Sequence, residues 1–280
     1  MPKSAPTKAP SPSRLSVRKT YKLYVGGAFP RSESGRTYLV DGDNVALASR
    51  KDARDAVVAA RKAQPKWAAA TAYNRGQVLY RIAEMVEGRR GEFVALGVPA
   101  AEVDAAVDRL VWYAGWSDKI AQVAGNANPV AGPFFNLSAP EPTGVVGVVS
   151  PASLLGLVSV VAPAIVTGNT VVVLASGPQV AITLAEVLAT SDVPGGVVNI
   201  LTGRAAETAP WLASHDDVNG LDLTGVDDPE LATELERSAS GTLKRVLRAP
   251  AGGADFAADP GLRPMTAFLE TKTVWHPKGF

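Results

Sequence analysis

This chain predicts an α/β fold: a Rossmann-like parallel, doubly wound sheet with helices on its faces. Three observations carry the prediction. Apolar runs of strand length recur at Val145–Val149, Val171–Leu174 and Val197–Leu201. Helix-like segments and glycine turns separate these runs, and that alternation favours crossovers between parallel neighbours. Upstream, apolar residues recur at helical spacing over three successive stretches, which supplies helices to cover the sheet.

The elements follow in chain order. Residues Met1–Thr20 are rich in Pro, Ser, Lys and Arg, with no acidic and almost no apolar residue. Such a segment buries too little surface to offset its ordering entropy, so it is expected to be a disordered basic tail. The stretch Tyr21–Phe29 alternates around Gly26-Gly27 and is expected to be a hairpin. Residues Gly35–Val40 add a short strand. A stripe of Ala53, Ala56, Val57 and Ala60 marks a helix over Asp52–Trp67, with Pro65 expected at its end. A second helix is expected from Asn74 to Glu87 and a third from Glu102 to about Ile120. After the sheet core, Asp228 is placed to cap a helix over Pro229–Ser240, with Leu231 and Leu235 facing inward. Residues Thr242–Arg248 form a further strand. The Gly/Ala/Pro/Asp-rich stretch Ala249–Pro264 shows no periodicity and reads as a linker, before a final alternating segment closes the chain.

Composition narrows the function classes. A formal net charge of +1 over 280 residues provides no electrostatic footprint for nucleic acid or anionic membranes. There is no cysteine, which removes disulfides, thiolate nucleophiles and cysteine-bound metals. No signal-like apolar segment and no uninterrupted membrane-length run occurs, so the cytoplasm is the expected compartment. Neither phosphate-binding nor metal-ligand spacings appear, and no metal site is expected. The two histidines, His215 and His276, belong to no nucleophile elbow; His215 reads as a surface residue after a helix. Trp112 and Trp116, at helical spacing, read as packing residues.

The blocks EPTGVVGVVSPASLLGL from Glu141, TGNTVVVLASGPQ from Thr167, GGVVNILTG from Gly195 and LDLTG from Leu221 resemble, in order and spacing, the coenzyme-binding domain of the aldehyde dehydrogenase superfamily. The LETKTVW segment at the C-terminal end resembles that family's terminal strand. The resemblance implies a coenzyme-binding-type domain over 21–127 and 141–248. It also implies a protruding oligomerisation arm from 128–140 and 265–280, and a linker, 249–264, where the family has its catalytic domain. Fully extended, sixteen linker residues span roughly 50 Å, which suffices to bridge arm and sheet.

The same resemblance implies where chemistry should stand, and there the residues differ. The family's asparagine oxyanion donor falls on Ser153, within Pro151-Ala152-Ser153. Its glutamate base falls in the stretch Ala249-Pro250-Ala251-Gly252, and its cysteine nucleophile has no counterpart. The ribose-holding Lys-Pro-Ser-Glu block appears as Leu174-Ala175-Ser176-Gly177. The phosphate-side Phe-Thr-Gly-Ser block appears as Leu223-Thr224-Gly225-Val226, followed by Pro229 and Glu230. No catalytic residue is therefore assigned. Ser150, Ser176, Gly203 and Gly225 are expected to be the remnant of a cofactor groove, with no cofactor expected, or NAD or NADP if the groove is still competent. The leading expectation is a catalytically inactive assembly or regulatory subunit, in a homo-oligomer or with a full-length aldehyde dehydrogenase paralogue. The alternatives are an NAD(P)-dependent aldehyde dehydrogenase and a nucleotide-binding regulator.

Overall fold

The protein was analysed as a computed structural model that describes residues 17–279. The chain opens with β1 (Thr20–Tyr21), β2 (Thr37–Val40) and β3 (Asp43–Ala46), joined in the order β1-β3-β2. Residues 1–16 of the expected tail lie outside the described residues. Thr20, expected to be disordered, instead pairs with Asn44, and Lys19 reaches Glu186 at 2.8 Å. Backbone pairing with β3 supplies what the tail's side chains lack. The expected hairpin at 21–29 is reduced to one bridge, Val25 to Ala28, closing over Gly26-Gly27, both at positive φ. Tyr24 instead exchanges two backbone hydrogen bonds with Ile200, of 2.9 and 2.7 Å, and so covers an edge of the main sheet.

Five helices follow: α1 (Arg50–Ala69), α2 (Ala72–Gly88), α3 (Arg90–Ala95), α4 (Ala100–Trp116) and α5 (Ile120–Ala124). Ser49 and Asp52 form a capping box at the start of α1. Pro65 does not end that helix. It is exposed, so water can reach the carbonyl its ring leaves unpaired, and Trp67 anchors the last turn by donating Nε1–H to the Ile165 carbonyl at 2.8 Å. The third expected helix stops at Trp116, with Ser117 as its cap.

Next come β4 (Asn126–Asn128), β5 (Phe134–Pro142), β6 (Val145–Ser150), α6 (Leu154–Val166), β7 (Thr170–Ala175), α7 (Pro178–Leu188), β8 (Val198–Thr202), α8 (Ala205–Ser214), β9 (Gly220–Leu223), α9 (Pro229–Ala239) and β10 (Arg245–Arg248). The five central strands are all parallel, in the order β10-β9-β6-β7-β8. Alternate residues serve opposite faces. Val146, Val148, Val171 and Val173 join the core built by α2, α4, α6 and α7. Val145, Val149, Val172 and Leu174 join the one built by α1, α8 and α9. Both faces are thus covered, which is why the strands read as continuous apolar runs. Every residue of α6 is buried, sandwiched between the sheet and α4. The cap of α9 is as expected: Asp228 accepts from the Glu230 N–H at 2.9 Å, and Leu235 is buried.

Residues 249–262 then cross the molecule as an irregular strap to α10 (Arg263–Thr266) and β11 (Leu269–Pro277). The strap's far end is tied to the base of the sheet. Asn169 donates its amide to the Phe268 carbonyl at 3.0 Å, and its Oδ1 accepts from Gly144 N–H at 2.9 Å. Strand β11 pairs antiparallel with β5 over its whole length, in a three-stranded sheet ordered β11-β5-β4. One edge of β11 stays unpaired. Phe135, Leu137, Val274 and Trp275 are exposed on this sheet, which draws on the two segments expected to form an arm. Among the described residues, no helix is long and apolar enough to cross a membrane.

Candidate functional site

In an open parallel sheet, ligands collect beyond the carboxyl ends of strands at the point where connections depart in opposite directions. Here that point is β6, whose neighbours are β7 on one side and β9 on the other. A cleft of about 540 Å³ opens there, lined among others by Pro151, Ala152, Ser176, Thr224, Gly225 and Asp227. Of the four groove residues expected from sequence, Ser176 and Gly225 line this cleft. Ser150 lies beneath it, 1% exposed, its hydroxyl buried without a partner. Gly225 donates its N–H to the Val149 carbonyl at 3.0 Å and sits so close to Ser150 that any Cβ would overlap the Ser150 carbonyl. Gly203 does not join them. It follows β8 at φ 138° and packs against Leu47 and Ala48, where a Cβ would come within 3.3 Å of Leu47. Its role is the turn out of the strand.

The charged residues lining the cleft are Asp227 and Arg248. Asp227 is at its wall, and Pro229 and Ala232 bring the start of α9 to the same side. A helix N-terminus normally offers unpaired N–H groups to an anion. In α9 Pro229 has no N–H, and the Glu230 N–H is already given to Asp228. The cleft's one arginine, Arg248, is engaged by Glu236 at 2.7 Å and by the Thr233 hydroxyl at 3.0 Å. An incoming anion would therefore meet the Asp227 carboxylate and one arginine already paired with Glu236, whose buried Nε alone lacks a partner.

The positions expected to differ from catalytic groups are equally specific. Ser153 is the N-cap of α6, its Oγ accepting from Gly156 N–H at 3.1 Å. That bond uses the oxygen as an acceptor and holds the side chain at the start of the helix. Ala249, Pro250 and Gly252 leave β10 and border the cleft with no side chain able to take a proton.

The sequence profile of the aldehyde dehydrogenase family matches residues 42–257. The chain belongs to the aldehyde dehydrogenase family. It is 32% identical over 255 residues to the putative aldehyde dehydrogenase DhaS of Bacillus subtilis, covering 82% of this chain and 50% of that protein. To the mitochondrial aldehyde dehydrogenase of Rattus norvegicus it is 34% identical over 220 residues, covering 72% and 41%. Among solved structures it resembles the NAD+ complex of the aldehyde dehydrogenase from Bacillus cereus, with a TM-score of 0.75, 25% identity and coverage of 82% and 50%. HpcC from Thermus thermophilus gives 0.74, 28%, and 82% and 48%. The chain spans about half the length of the curated relatives it matches.

One group in this aldehyde dehydrogenase family member escaped the sequence reading. Asp222, in β9 between the inward-facing Leu221 and Leu223, points to the opposite face, toward α4 and α6. It is 3% exposed, and burial pushes its carboxyl up to about 6, against the counter-effect of hydrogen bonds from Thr224. Its Oδ1 accepts from Thr224 N–H at 2.9 Å. Nearby, Arg109 of α4 donates to Ser159 Oγ at 3.2 Å and to the strap carbonyls of Phe256 and Ala258 at 2.7 and 2.9 Å. Tyr113, also on α4, is fully buried with its hydroxyl unpartnered, and burial pushes that phenol up. These residues surround a second cavity, of about 220 Å³, between the sheet and the strap. The signal that marks it in sequence is an aspartate inside an otherwise apolar strand, LDL, which has to be answered by buried polar groups elsewhere.

Proposed function

We propose that this chain is a family member that oxidises no aldehyde by itself and acts as an assembly or regulatory subunit through its arm. The observation that carries the reading is the absence of any cysteine from the 280 residues. Aldehyde oxidation by the family route begins with a thiolate, and no other side chain near the cleft is arranged as a nucleophile with a base. The short Ser153 side chain, held at the α6 N-cap, and the Ala249–Gly252 stretch point the same way.

What the chain retains supports an assembly role. The three-stranded arm is intact, β11 offers a free edge, and Leu137 and Val274 sit opposite one another on one face, about half exposed. Unpaired strand edges and clustered exposed apolar side chains are the ordinary means by which one sheet recruits another. The partner is a second copy of this chain or a full-length paralogue. Size-exclusion chromatography with mass determination, followed by capture from native lysate, distinguishes the two; a monodisperse monomer that captures no paralogue overturns both.

The likeness to an NAD+ complex favours a second reading, in which the cleft still takes a dinucleotide. Its lining argues against the pyrophosphate: the acid lining the cleft is Asp227, and Arg248, its one arginine, is paired with Glu236. Titration with NAD+ and NADP+ is expected to give no saturable heat. Binding in the micromolar range would establish the second reading.

A further inference from the structure

The helical layer built by α1, α8 and α9 carries its surface charge in two separate stripes, and nothing in the arm reading uses them. Helix α9 lies beside β10, α8 over β6 and β7, and α1 over β7 and β8, so α8 stands between the other two on one face of the sheet. Residues 50–69 carry six cations against two aspartates, one of which, Asp52, is buried in the capping box. Residues 227–239 carry five carboxylates against one arginine, Arg237. A chain with a formal net charge of only +1 thus sets a basic helix and an acidic helix on the two flanks of a single face.

Part of this charge is answered within the molecule. Lys51 pairs with Glu33, Arg54 with Asp55 and Arg61 with Asp217. On the other flank Asp228 caps α9 and Glu236 holds Arg248. Left over at matching spacing are Lys62 and Lys66 on α1 and Glu230 and Glu234 on α9, all exposed and in no ion pair among the described residues. Four residues separate the members of each pair, which sets the charges about 6 Å apart along both helix axes. Trp211 of α8 is exposed on the middle helix, with the Arg50 guanidinium 4.0 Å from its ring.

We propose that this face is a contact between two copies of the chain, with α1 of one protomer lying against α9 of its partner on both sides of a two-fold axis that runs along α8. Such an axis exchanges the flanks, so one self-complementary patch makes the basic-to-acidic contact twice. An axis across the helices would instead set α9 against α9, and like-charge repulsion between their carboxylates disfavours it. A foreign partner of one sign answers one stripe, whereas a second copy answers both. One helix of about 30 Å and two of about 15 Å, spaced roughly 10 Å apart, offer on the order of 600 Å² a side. That falls short of the ~800 Å² per partner of a stable complex, so the association is weak and is governed by charge and salt. The contact is separate from the arm and does not rest on it.

The test is sedimentation equilibrium of the full chain carrying Leu137→Lys and Val274→Lys, which takes the arm out of the measurement. A dimer is expected at about 20 mM sodium chloride, with a dissociation constant at least roughly tenfold higher at about 300 mM. Lys62→Glu with Lys66→Glu sets glutamates opposite glutamates, and Glu230→Lys with Glu234→Lys sets lysines opposite lysines. Each pair of substitutions should weaken dimerisation at least roughly tenfold. An equimolar mixture of the two variants restores both contacts and should recover the parent dissociation constant to within about threefold, which also shows that both variants fold. A monomer at both salt concentrations overturns the proposal. So does a dimer that either charge reversal leaves intact, or a mixture that stays monomeric, since the stripes would then not face each other. An assembly lost with the arm substitutions and indifferent to the charge reversals supports the arm reading and ends this one.

Discussion

Arg109→Met removes the side chain whose hydrogen bonds tie the strap to the helical layer. The methionine fills most of the stem's volume, so the loss is mainly of the guanidinium. That group gives a hydrogen bond of 3.2 Å to Ser159 Oγ and bonds of 2.7 and 2.9 Å to the carbonyls of Phe256 and Ala258. Bonds to a charged donor contribute about 1.5–3 kcal/mol each. The strap carbonyls can turn toward water once released, which recovers part of this, so the net cost is placed at about 2–4 kcal/mol. In a chain of this length, that corresponds to a midpoint lower by roughly 4–12 °C. The local effect should exceed the global one. With Arg109 gone, residues 249–262 hold to the core chiefly through Phe256 and Leu262, both only partly buried. Urea unfolding measures the stability, and limited proteolysis with an endoproteinase that cuts at aspartate, read by mass, measures release at Asp255 and Asp259. If Arg109→Met unfolds within about 0.5 kcal/mol of the parent and the strap is cut no faster, the latch does not exist and the reasoning from buried charge to strap order is wrong.

Other outcomes follow from the same structure. Asp222 has its carboxyl raised to about 6 in the fold from 3.8, so the folded state holds more protons than the unfolded one between those values. Stability should therefore fall as pH rises from about 4 to 6 and level off above, by on the order of 2–3 kcal/mol from this group. Asp222→Asn should remove that part of the slope in urea titrations, with Arg109, Tyr113, Arg248, Asp255, Asp259 and Arg263 as the other ionisable groups lining the same cavity. Gly225→Ala drives a methyl into the Ser150 carbonyl and should cost about 1–3 kcal/mol, whereas Gly91→Ala, with nothing near its Cβ, should not destabilise. Val274→Lys with Leu137→Lys places two like charges directly opposite one another across β5 and β11. Sedimentation should then show the assembly shifted toward monomer, with the main sheet's circular dichroism intact.

The strands were the most legible part of the fold because burial on both faces leaves a continuous valine signal, as in Val171–Leu174. The α1 boundary was not, since a local rule about Pro65 was overridden by the distant hydrogen bond between Trp67 and Ile165. Likewise Tyr24 abandons its expected hairpin for β8, a contact between residues 176 positions apart. The cleft was partly legible: of the glycine and serine positions expected at strand ends, Ser176 and Gly225 line it. Gly203 packs against Leu47 and Ala48 instead, and a strand-ending glycine looks the same in sequence whether it faces a cleft or a neighbouring loop. Asp222 was visible all along, but its meaning depends on Arg109 and Tyr113, which reach it only through the packing of α4 across the sheet.

The central claim is tested most directly by mixing the purified chain with short aliphatic and aromatic aldehydes and either NAD+ or NADP+, and following nicotinamide reduction by absorbance. A trace no steeper than the protein-free mixture is the expected result. Reduction proportional to the amount of chain added would contradict the account at its root.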